Sequence, residues 1–354
     1  METIDLRSDT LTLPTEDMLA AMTTAELGDD GRSHGSKGED PTVVRLEEAA
    51  ALKFGKEDAI FVPSGTMGNA LALLASARRG DLIVVDKDAH IFRSERANFD
   101  RDYHGFTPLF VLEHDGIYDL DFLEEVLRDN HVSVVCLENS HNFAGGTVLR
   151  AEQVEAVTTL CGRRNVPVHV DGARIFNAAA ATGQSVQQLT AGANSVMFCL
   201  SKGLCAPVGS MLVGSKELVA LAREKRKLLG GQMRQAGVLA AAGIIALEKM
   251  TNRVAEDNVL ARQLAEKLST SARGLNIDLT TVQTNIVKID LGIHMDASEF
   301  ARQLYRDYKV RVHPMGKRVI RLVVYHGIGE ADIDEAVTRI SMFVANDGSC
   351  STTE

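Results

Sequence analysis

Two ionisable side chains in the middle of the chain each follow a short apolar segment. Asp171 comes directly after residues 166–170, and Lys202 lies two residues beyond the apolar run at 193–200. Segments of this length and composition predict buried strands, so both groups are expected at strand ends. Together they suit pyridoxal phosphate, which needs a lysine for covalent attachment and a carboxylate beside its pyridinium nitrogen. Alternatively, both charges could be purely structural. The neighbouring motifs decide between a cofactor site and structural charges.

A glycine-containing turn provides a candidate phosphate site. Residues 63–69 (Pro-Ser-Gly-Thr-Met-Gly-Asn) lie between an apolar segment at 59–62 and a helical pattern at 70–77. The backbone amides of Gly65 and Thr66 stand at the expected helix start, where they can donate hydrogen bonds to phosphate oxygens. Many glycine turns begin helices that bind nothing, so this motif gains its meaning from the lysine and the aspartate.

Three further side chains are expected near the same edge of the sheet. His90 follows the predicted strand at 82–85, where an imidazole could stack on a flat cofactor ring or remain an ordinary loop histidine. Arg174 lies three residues after Asp171, and its guanidinium suits a carboxylate or a phenolic oxygen. Arg321 opens the last strand predicted for the C-terminal region, and an ordinary ion pair is its alternative role.

Taken in order, these motifs resemble the low-specificity L-threonine aldolases. That family belongs to the fold-type-I enzymes that depend on pyridoxal phosphate, and it is grouped with the aromatic amino acid beta-eliminating lyases. The resemblance runs almost from end to end. The matching segments are Asp-Leu-Arg-Ser-Asp-Thr at 5–10, Gly-Glu-Asp-Pro-Thr at 38–42, Ser-Gly-Thr-Met-Gly-Asn at 64–69, Glu-Asn-Ser-His-Asn at 138–142, Asp-Gly-Ala-Arg at 171–174, Ser-Lys-Gly-Leu-Cys-Ala-Pro-Val-Gly at 201–209 and Met-Arg-Gln at 233–235.

The resemblance implies a role for each site residue. Lys202 would hold the cofactor covalently, Asp171 would keep its pyridine nitrogen protonated, and His90 would stack on the ring and act as the candidate base. The substrate carboxylate would lie among Ser8, Arg174 and Arg321. The residues expected to contact the cofactor are Gly65, Thr66, His90, Asp171, Arg174, Ser201, Lys202 and, from a neighbouring subunit, Arg234.

The implied reaction is retro-aldol cleavage of an L-3-hydroxy-α-amino acid, such as threonine, allo-threonine or a more polar analogue, to glycine and an aldehyde. The alternative is β-elimination from a β-substituted amino acid, since one cofactor serves both reactions and the protein selects by orientation. A non-catalytic cofactor-binding protein is disfavoured because the lysine, the aspartate, the histidine and the arginine are all present.

One loop departs from the family pattern. Members usually carry a tyrosine between the Gly-Asp-Asp and Glu-Asp-Pro-Thr motifs, whereas this chain has a basic segment within residues 31–37. Our hypothesis is that Arg32, His34 and Lys37 bind an anionic or strongly polar β-substituent of the substrate. A solvated surface loop is the alternative.

Composition narrows the class of protein further. Of the 354 residues 45% are hydrophobic and 24% charged, with a net charge of −10, which disfavours nucleic acid as a partner. We find no apolar stretch near the ~20 residues of a membrane span and no leader pattern, so we expect a cytoplasmic location. Five cysteines without Cys-x-x-Cys spacing predict neither a disulfide nor a metal site.

The order of predicted elements indicates an α/β fold of the transferase-like fold type I. Strands that alternate with helices predict a large domain with a mainly parallel, seven-stranded sheet, followed by a smaller α+β domain. We expect an N-terminal arm at 1–40, a pyridoxal-phosphate-binding domain at 41–252 and the small domain at 253–354. The family resemblance also implies a homo-oligomer, either a dimer or a tetramer.

Overall fold

A seven-stranded sheet forms the centre of the computed structural model, which describes residues 1–32, 37–292 and 296–347. The strands are β1 (Ile4–Asp5), β2 (Asp58–Val62), β3 (Leu82–Val85), β4 (Thr107–Phe110), β5 (Glu113–His114), β6 (Ile117–Tyr118), β7 (Val132–Glu138), β8 (Val168–Asp171), β9 (Ser195–Cys199), β10 (Ser210–Gly214), β11 (Ile286–Asp290), β12 (Val310–Arg311), β13 (His313–Pro314) and β14 (Val319–Val323). The central sheet has the order β2-β10-β9-β8-β7-β3-β4. Neighbouring strands from β9 to β4 are parallel, whereas β10 runs antiparallel to both of its neighbours. The prediction of a mainly parallel sheet is confirmed.

Helices cover both faces of this sheet. They are α1 (Glu16–Thr23), α2 (Pro41–Phe54), α3 (Gly65–Ser76), α4 (His90–Arg93), α5 (Leu120–Asp129), α6 (Ala151–Gly162), α7 (Ile175–Thr182), α8 (Val186–Leu189), α9 (Lys216–Leu228), α10 (Gly237–Ile245), α11 (Val254–Ser271), α12 (Ala297–Tyr308) and α13 (Glu330–Asp347). Side chains alternate along β9: Phe198 packs in the same core as α2 and α7, whereas Met197 packs with α3 and α9. A strand that is buried on both faces reads as a continuous apolar run, which is why the sequence revealed these strands.

The C-terminal part of the chain forms a second, smaller core. Strands β11, β14 and β13 make a three-stranded antiparallel sheet, against which α11, α12 and α13 pack. The N-terminus also belongs to this core, because β1 pairs in parallel with β12 and buries Ile4 and Leu6 there. The arm therefore starts on the small core before it crosses to the large sheet.

We also compared the helices with the requirements of a bilayer crossing. Within the three described ranges, none of them combines the necessary length with sufficient apolar character.

Candidate functional site

The predicted site residues follow parallel strands that end at one edge of the sheet. His90 comes after β3, Glu138 ends β7, Asp171 ends β8 and Lys202 follows β9. Carboxyl ends of parallel strands lie together, and ligands bind in the crevice outside them. The topology therefore brings the lysine, the histidine and the two carboxylates to the same edge of the sheet.

Asp171 is a buried carboxylate that has neutral hydrogen-bond donors. Its side chain is only 1% exposed; Oδ2 accepts a hydrogen bond from Asn69 Nδ2 at 2.9 Å and Oδ1 accepts one from the Ala173 amide at 3.1 Å. Throughout the described ranges, no lysine, arginine or histidine forms an ion pair with it. A buried charge without a counter-charge is costly, so this carboxylate fits the protonated nitrogen of a pyridine ring.

His90 is held at two points. Its backbone amide donates to Glu138 Oε2 at 2.6 Å, and its ring Nδ1 lies 3.1 Å from Glu95 Oε1. Burial alone would lower the pKa of His90, but the hydrogen bond to Glu95 and the charges of Asp171 and Glu138 raise the pKa above its ordinary value. Because Nδ1 faces Glu95, Nε2 is the nitrogen available to a ligand.

The acceptor atoms of His90, Glu95 and Asp171 lie within 4.8 Å of one another, which is close enough to share a cation. Asn69, however, directs an amide donor to both carboxylates, at 2.9 Å in each case. The cluster is thus organised by hydrogen bonds, and the expectation of a metal-free site stays a prediction.

Two arginines lie next to this cluster, and only one of them has a carboxylate partner. Arg174 forms a bidentate ion pair with the buried Asp9, with Nε and one terminal nitrogen at 2.7 and 2.8 Å from its two oxygens. Asn142 Oδ1 joins the two arginines, since it accepts from Arg174 at 3.2 Å and from Arg321 at 2.7 Å. The large domain supplies the first arginine and the small sheet the second.

Arg321 is a buried cation that has no carboxylate partner within the described ranges. It is 9% exposed, it donates to the neutral oxygens of Asn142 and Arg7, and in the part of the chain described its Nε has no partner. Burial and the nearby Arg174 lower the pKa of Arg321 to about 10. A carboxylate would supply both the missing charge and the missing acceptor.

The N-terminal arm crosses the end of β9. Ser8 accepts hydrogen bonds from the backbone and the side chain of Thr10, and so caps the short helical turn that contains Asp9. Thr12 Oγ1 then donates to the carbonyl of Lys202 at 2.9 Å. The arm thereby holds Asp9 and the lysine segment together.

The phosphate turn has the geometry that the sequence predicts. Helix α3 begins at Gly65 because Ser64 Oγ accepts from the Met67 amide at 3.2 Å, and the first amides of a helix have no partners within it. A Cβ at Gly65 would lie 3.0 Å from Cys199 Sγ and 3.2 Å from Met197 Cε. The close packing disfavours a larger residue here, and the first amides of the helix fit a phosphate group.

Three predicted residues contact other parts of the chain. Arg234, with its side chain 75% exposed, pairs with Asp29 at 3.2 Å; Arg32, equally exposed, pairs with the same carboxylate at 3.4 Å. Lys37 pairs with Glu48 at 3.0 Å. His34 lies outside the described residues. Arg32 and Lys37 as substrate ligands, and Arg234 as a ligand to a neighbouring site, therefore stay predictions.

Several residues at or behind the site were not given roles by the sequence; Glu138 and Asn142 lie inside the recognised motif at 138–142. Asp9 and Asn69 lie inside recognised motifs, and His169 lies two residues before Asp171, a spacing that places both on the same face of β8. Glu95 has no comparable signal, because its contact with His90 depends on the fold of the segment between them.

The fold and the site together define a class. A mainly parallel sheet with a lysine and a buried carboxylate at its carboxyl edge, beside a helix start suited to phosphate, is the arrangement of a fold-type-I enzyme. Pyridoxal phosphate is the cofactor of that class, and the donor set fits it. The particular family follows from comparison: residues 5–291 match the family described as beta-eliminating lyase, and the chain belongs to that family.

Curated relatives agree with this assignment over nearly their whole length. The chain is 40% identical over 345 residues to a probable low-specificity L-threonine aldolase 2 of Arabidopsis thaliana, covering 94% of this chain and 95% of that one. It is 36% identical over 354 residues to the low specificity L-threonine aldolase of Escherichia coli K12, covering 97% and 99%. The threonine aldolase structure of Leishmania major has a TM-score of 0.78 at 17% identity, over 96% of this chain and 99% of that one, and so shares the fold.

Proposed function

We propose that this protein cleaves an L-3-hydroxy-α-amino acid to glycine and an aldehyde. Relatives named as low-specificity L-threonine aldolases support this reaction. The observation that carries the proposal is Arg321, a buried cation whose partners in the described chain are neutral oxygens. An amino acid carboxylate bound there would lie at the same crevice as Lys202, His90 and Asp171.

The chain's own residues would hold both the cofactor and the substrate. When bound, pyridoxal phosphate supplies an electron sink for the negative charge that develops at Cα. We infer that Arg321 pairs with the substrate carboxylate, while Arg174, already neutralised by Asp9, and Ser8 border the same position. The residues that would contact the cofactor are Lys202, Ser201, Asp171, Arg174, His90, Gly65, Thr66 and Arg234.

We infer that His90 takes the proton of the β-hydroxyl. Its Nδ1 is held by Glu95 at 3.1 Å, which leaves Nε2 for the substrate and would stabilise the imidazolium once the proton arrives. A histidine paired with a carboxylate is a general base of the usual kind. Loss of this proton breaks the Cα–Cβ bond and releases the aldehyde.

The proposal also covers the oligomeric state, the cellular location and the domain division. We infer a homo-oligomer, a dimer or a tetramer, in which Arg234 completes a neighbouring site, and its exposure supports that role. Four buried free cysteines support a reducing, cytoplasmic location. We infer a division into residues 1–40, 41–252 and 253–354; two separate hydrophobic cores support the boundary between the last two parts, whereas the arm contributes Ile4 and Leu6 to the smaller core and Met18 to the larger one.

The purified protein should be incubated with L- and D-3-hydroxy amino acids, including threonine, allo-threonine, phenylserine and hydroxyaspartate, and glycine release should be measured. We expect glycine and an aldehyde from the L-isomers. Pyruvate and ammonia would instead identify β-elimination, and failure of borohydride to trap the cofactor on Lys202 would indicate a non-catalytic protein.

The same panel tests the basic loop. Replacement of Arg32 and Lys37 by alanine should raise KM selectively for hydroxyaspartate if these cations bind an acidic β-substituent. Equal effects on threonine and hydroxyaspartate would exclude that role and leave a solvated loop.

A further inference from the structure

One buried amide connects the two carboxylates of the site. Asn69 is fully buried near the start of α3, and its Nδ2 donates to Glu95 Oε1 and to Asp171 Oδ2, both at 2.9 Å. A side-chain amide has two N–H groups, and here each of them has its own carboxylate. Asp171 is the carboxylate that we propose as the partner of the cofactor's pyridine nitrogen. Glu95 is the carboxylate that holds His90.

The oxygen of this amide contacts a second buried side chain, His169. Asn69 Oδ1 lies 2.9 Å from His169 Nε2, and His169 Nδ1 lies 2.8 Å from Ser195 Oγ. Burial lowers the pKa of His169 to about 4, so the ring is neutral near pH 7. Asn69 Oδ1 can only accept a hydrogen bond, so the ring proton lies on Nε2 and the serine hydroxyl donates to Nδ1.

All of these hydrogen bonds run in one direction. The hydroxyl of Ser195 donates to His169, His169 donates to Asn69, and Asn69 donates to the two carboxylates. A reversed amide would direct its oxygen at two carboxylates whatever the tautomer of His169, so the two carboxylates fix the orientation of the amide. The amide is thus available to the carboxylates only as a donor.

We propose that Asn69 is a positioning residue that sets the spacing of Asp171 and Glu95, and so couples the partner of the cofactor nitrogen to the acid-base histidine. The inference rests on the proposed function, because it assigns those roles to Asp171 and His90. Two like charges that share a buried region repel each other, and the donor between them offsets that repulsion. Within the described ranges, the other titratable groups that interact electrostatically with these two carboxylates or with His90 are Glu138, Cys136 and His169.

The chain contains a matched control. Asn98 is also buried, its Nδ2 also donates to Glu95, at 3.4 Å to Oε2, and its Oδ1 also lies 3.1 Å from a histidine nitrogen, that of His104. Asn69→Asp and Asn98→Asp therefore make the same isosteric change and add the same charge beside Glu95. They differ in that Asn69→Asp alone removes a donor from Asp171.

Both variants and the wild type should be prepared as holoenzymes, and the absorption of the bound cofactor should be titrated against pH. In Asn69→Asp, we expect the midpoint of this absorption change to lie at a pH about one unit or more above that of the wild type. The reason is that an added anion near the ring stabilises the protonated cofactor. The dissociation constant of pyridoxal phosphate, from equilibrium dialysis, should rise about tenfold. Asn98→Asp should show less than half of each change.

Equal shifts in the two variants, or none in either, would overturn the proposal. If Asn69→Asp does not fold, Ser195→Ala tests the network from its far end, since it frees the tautomer of His169 and should move the midpoint in the same direction by a smaller amount. A wild-type protein that binds pyridoxal phosphate but releases no glycine would count against the proposed function and leave the comparison of Asn69 with Asn98 valid.

Discussion

At the level of single residues, the proposed acid-base chemistry should depend on the charge of Glu95. Glu95→Gln keeps the volume and the acceptor for His90 Nδ1 but removes the charge that helps raise the pKa of His90. A base must be deprotonated, so the wild-type kcat/KM should rise with pH through a midpoint above about 6.5, the ordinary pKa of histidine. In the variant this rising limb should move to lower pH.

The measurement is a pH profile of kcat/KM for threonine. Glu155→Gln is a suitable control, because it removes an acidic charge from the exposed face of α6 and should leave the profile in place. An unshifted rising limb in Glu95→Gln would mean that a group other than His90 takes the proton.

The ion pair between Asp9 and Arg174 should make the stability of the fold depend on pH. Although burial raises the pKa of Asp9, Arg174 and Lys202 lower it to about 2. Since the folded pKa lies below the unfolded value, this stabilisation is complete above about pH 4 and is lost as the pH falls towards 2. The difference amounts to about 2 kcal/mol.

Asp9→Asn should therefore reduce the pH dependence of the unfolding free energy between pH 4 and 2. At neutral pH it should destabilise the protein by about 3 kcal/mol, because it leaves the buried Arg174 without a counter-charge. Urea unfolding at several pH values measures both effects. Asp17→Asn, which breaks an exposed pair with Lys249, should cost less than about 1 kcal/mol, and equal losses in the two variants would contradict this account.

At the level of secondary structure, the sequence predicted the strands better than the contacts between segments. Apolar runs located β3, β8 and β9, because strands buried on both faces are continuous in sequence. The pairing of β1 with β12 was not predictable, since a two-residue strand has no periodicity of its own. The same reasoning applies to the site: Lys202 and Asp171 follow from local patterns, whereas the contact of Glu95 with His90 depends on how a short helical segment turns.

The start of α3 provides a test of the phosphate turn. Gly65→Ala would place a methyl group 3.0 Å from Cys199 Sγ and 3.2 Å from Met197 Cε, which is tighter than an ordinary contact. We expect the adjustment to be shared between these side chains and the turn, and so to displace its amides. We expect the dissociation constant of pyridoxal phosphate to rise about tenfold, which corresponds to about 1.4 kcal/mol. Spectrophotometric titration of the apoprotein with the cofactor measures this constant.

Gly162→Ala is the matched control, since a Cβ there would meet no atom within 4 Å and the residue ends α6. Alanine favours the helical backbone, so this variant should bind the cofactor normally and be as stable as the wild type or slightly more so. Equal cofactor affinity in Gly65→Ala and Gly162→Ala would show that the turn does not bind the cofactor phosphate.

At the level of the whole molecule, the charges around Asp29 bear on the proposed assembly. Arg234 and Arg32 share the carboxylate of Asp29, and both arginines have side chains that are 75% exposed. Two cations on one surface carboxylate leave an excess positive charge, and exposed pairs of this kind stabilise a fold very little. An anion supplied by another subunit, the cofactor phosphate, would account for the excess.

A complementation experiment tests whether Arg234 acts in a neighbouring subunit. Lys202→Ala and Arg234→Ala should each have little activity alone. When both chains are co-expressed with different tags and the hybrid is purified, one site in each hybrid dimer combines an intact Lys202 from one chain with an intact Arg234 from the other. Random assembly makes half of the dimers hybrids with one working site each, so the unfractionated mixture should recover about a quarter of the wild-type activity. If Arg234 served the site of its own chain, every site would lack either the lysine or the arginine, and co-expression would restore nothing.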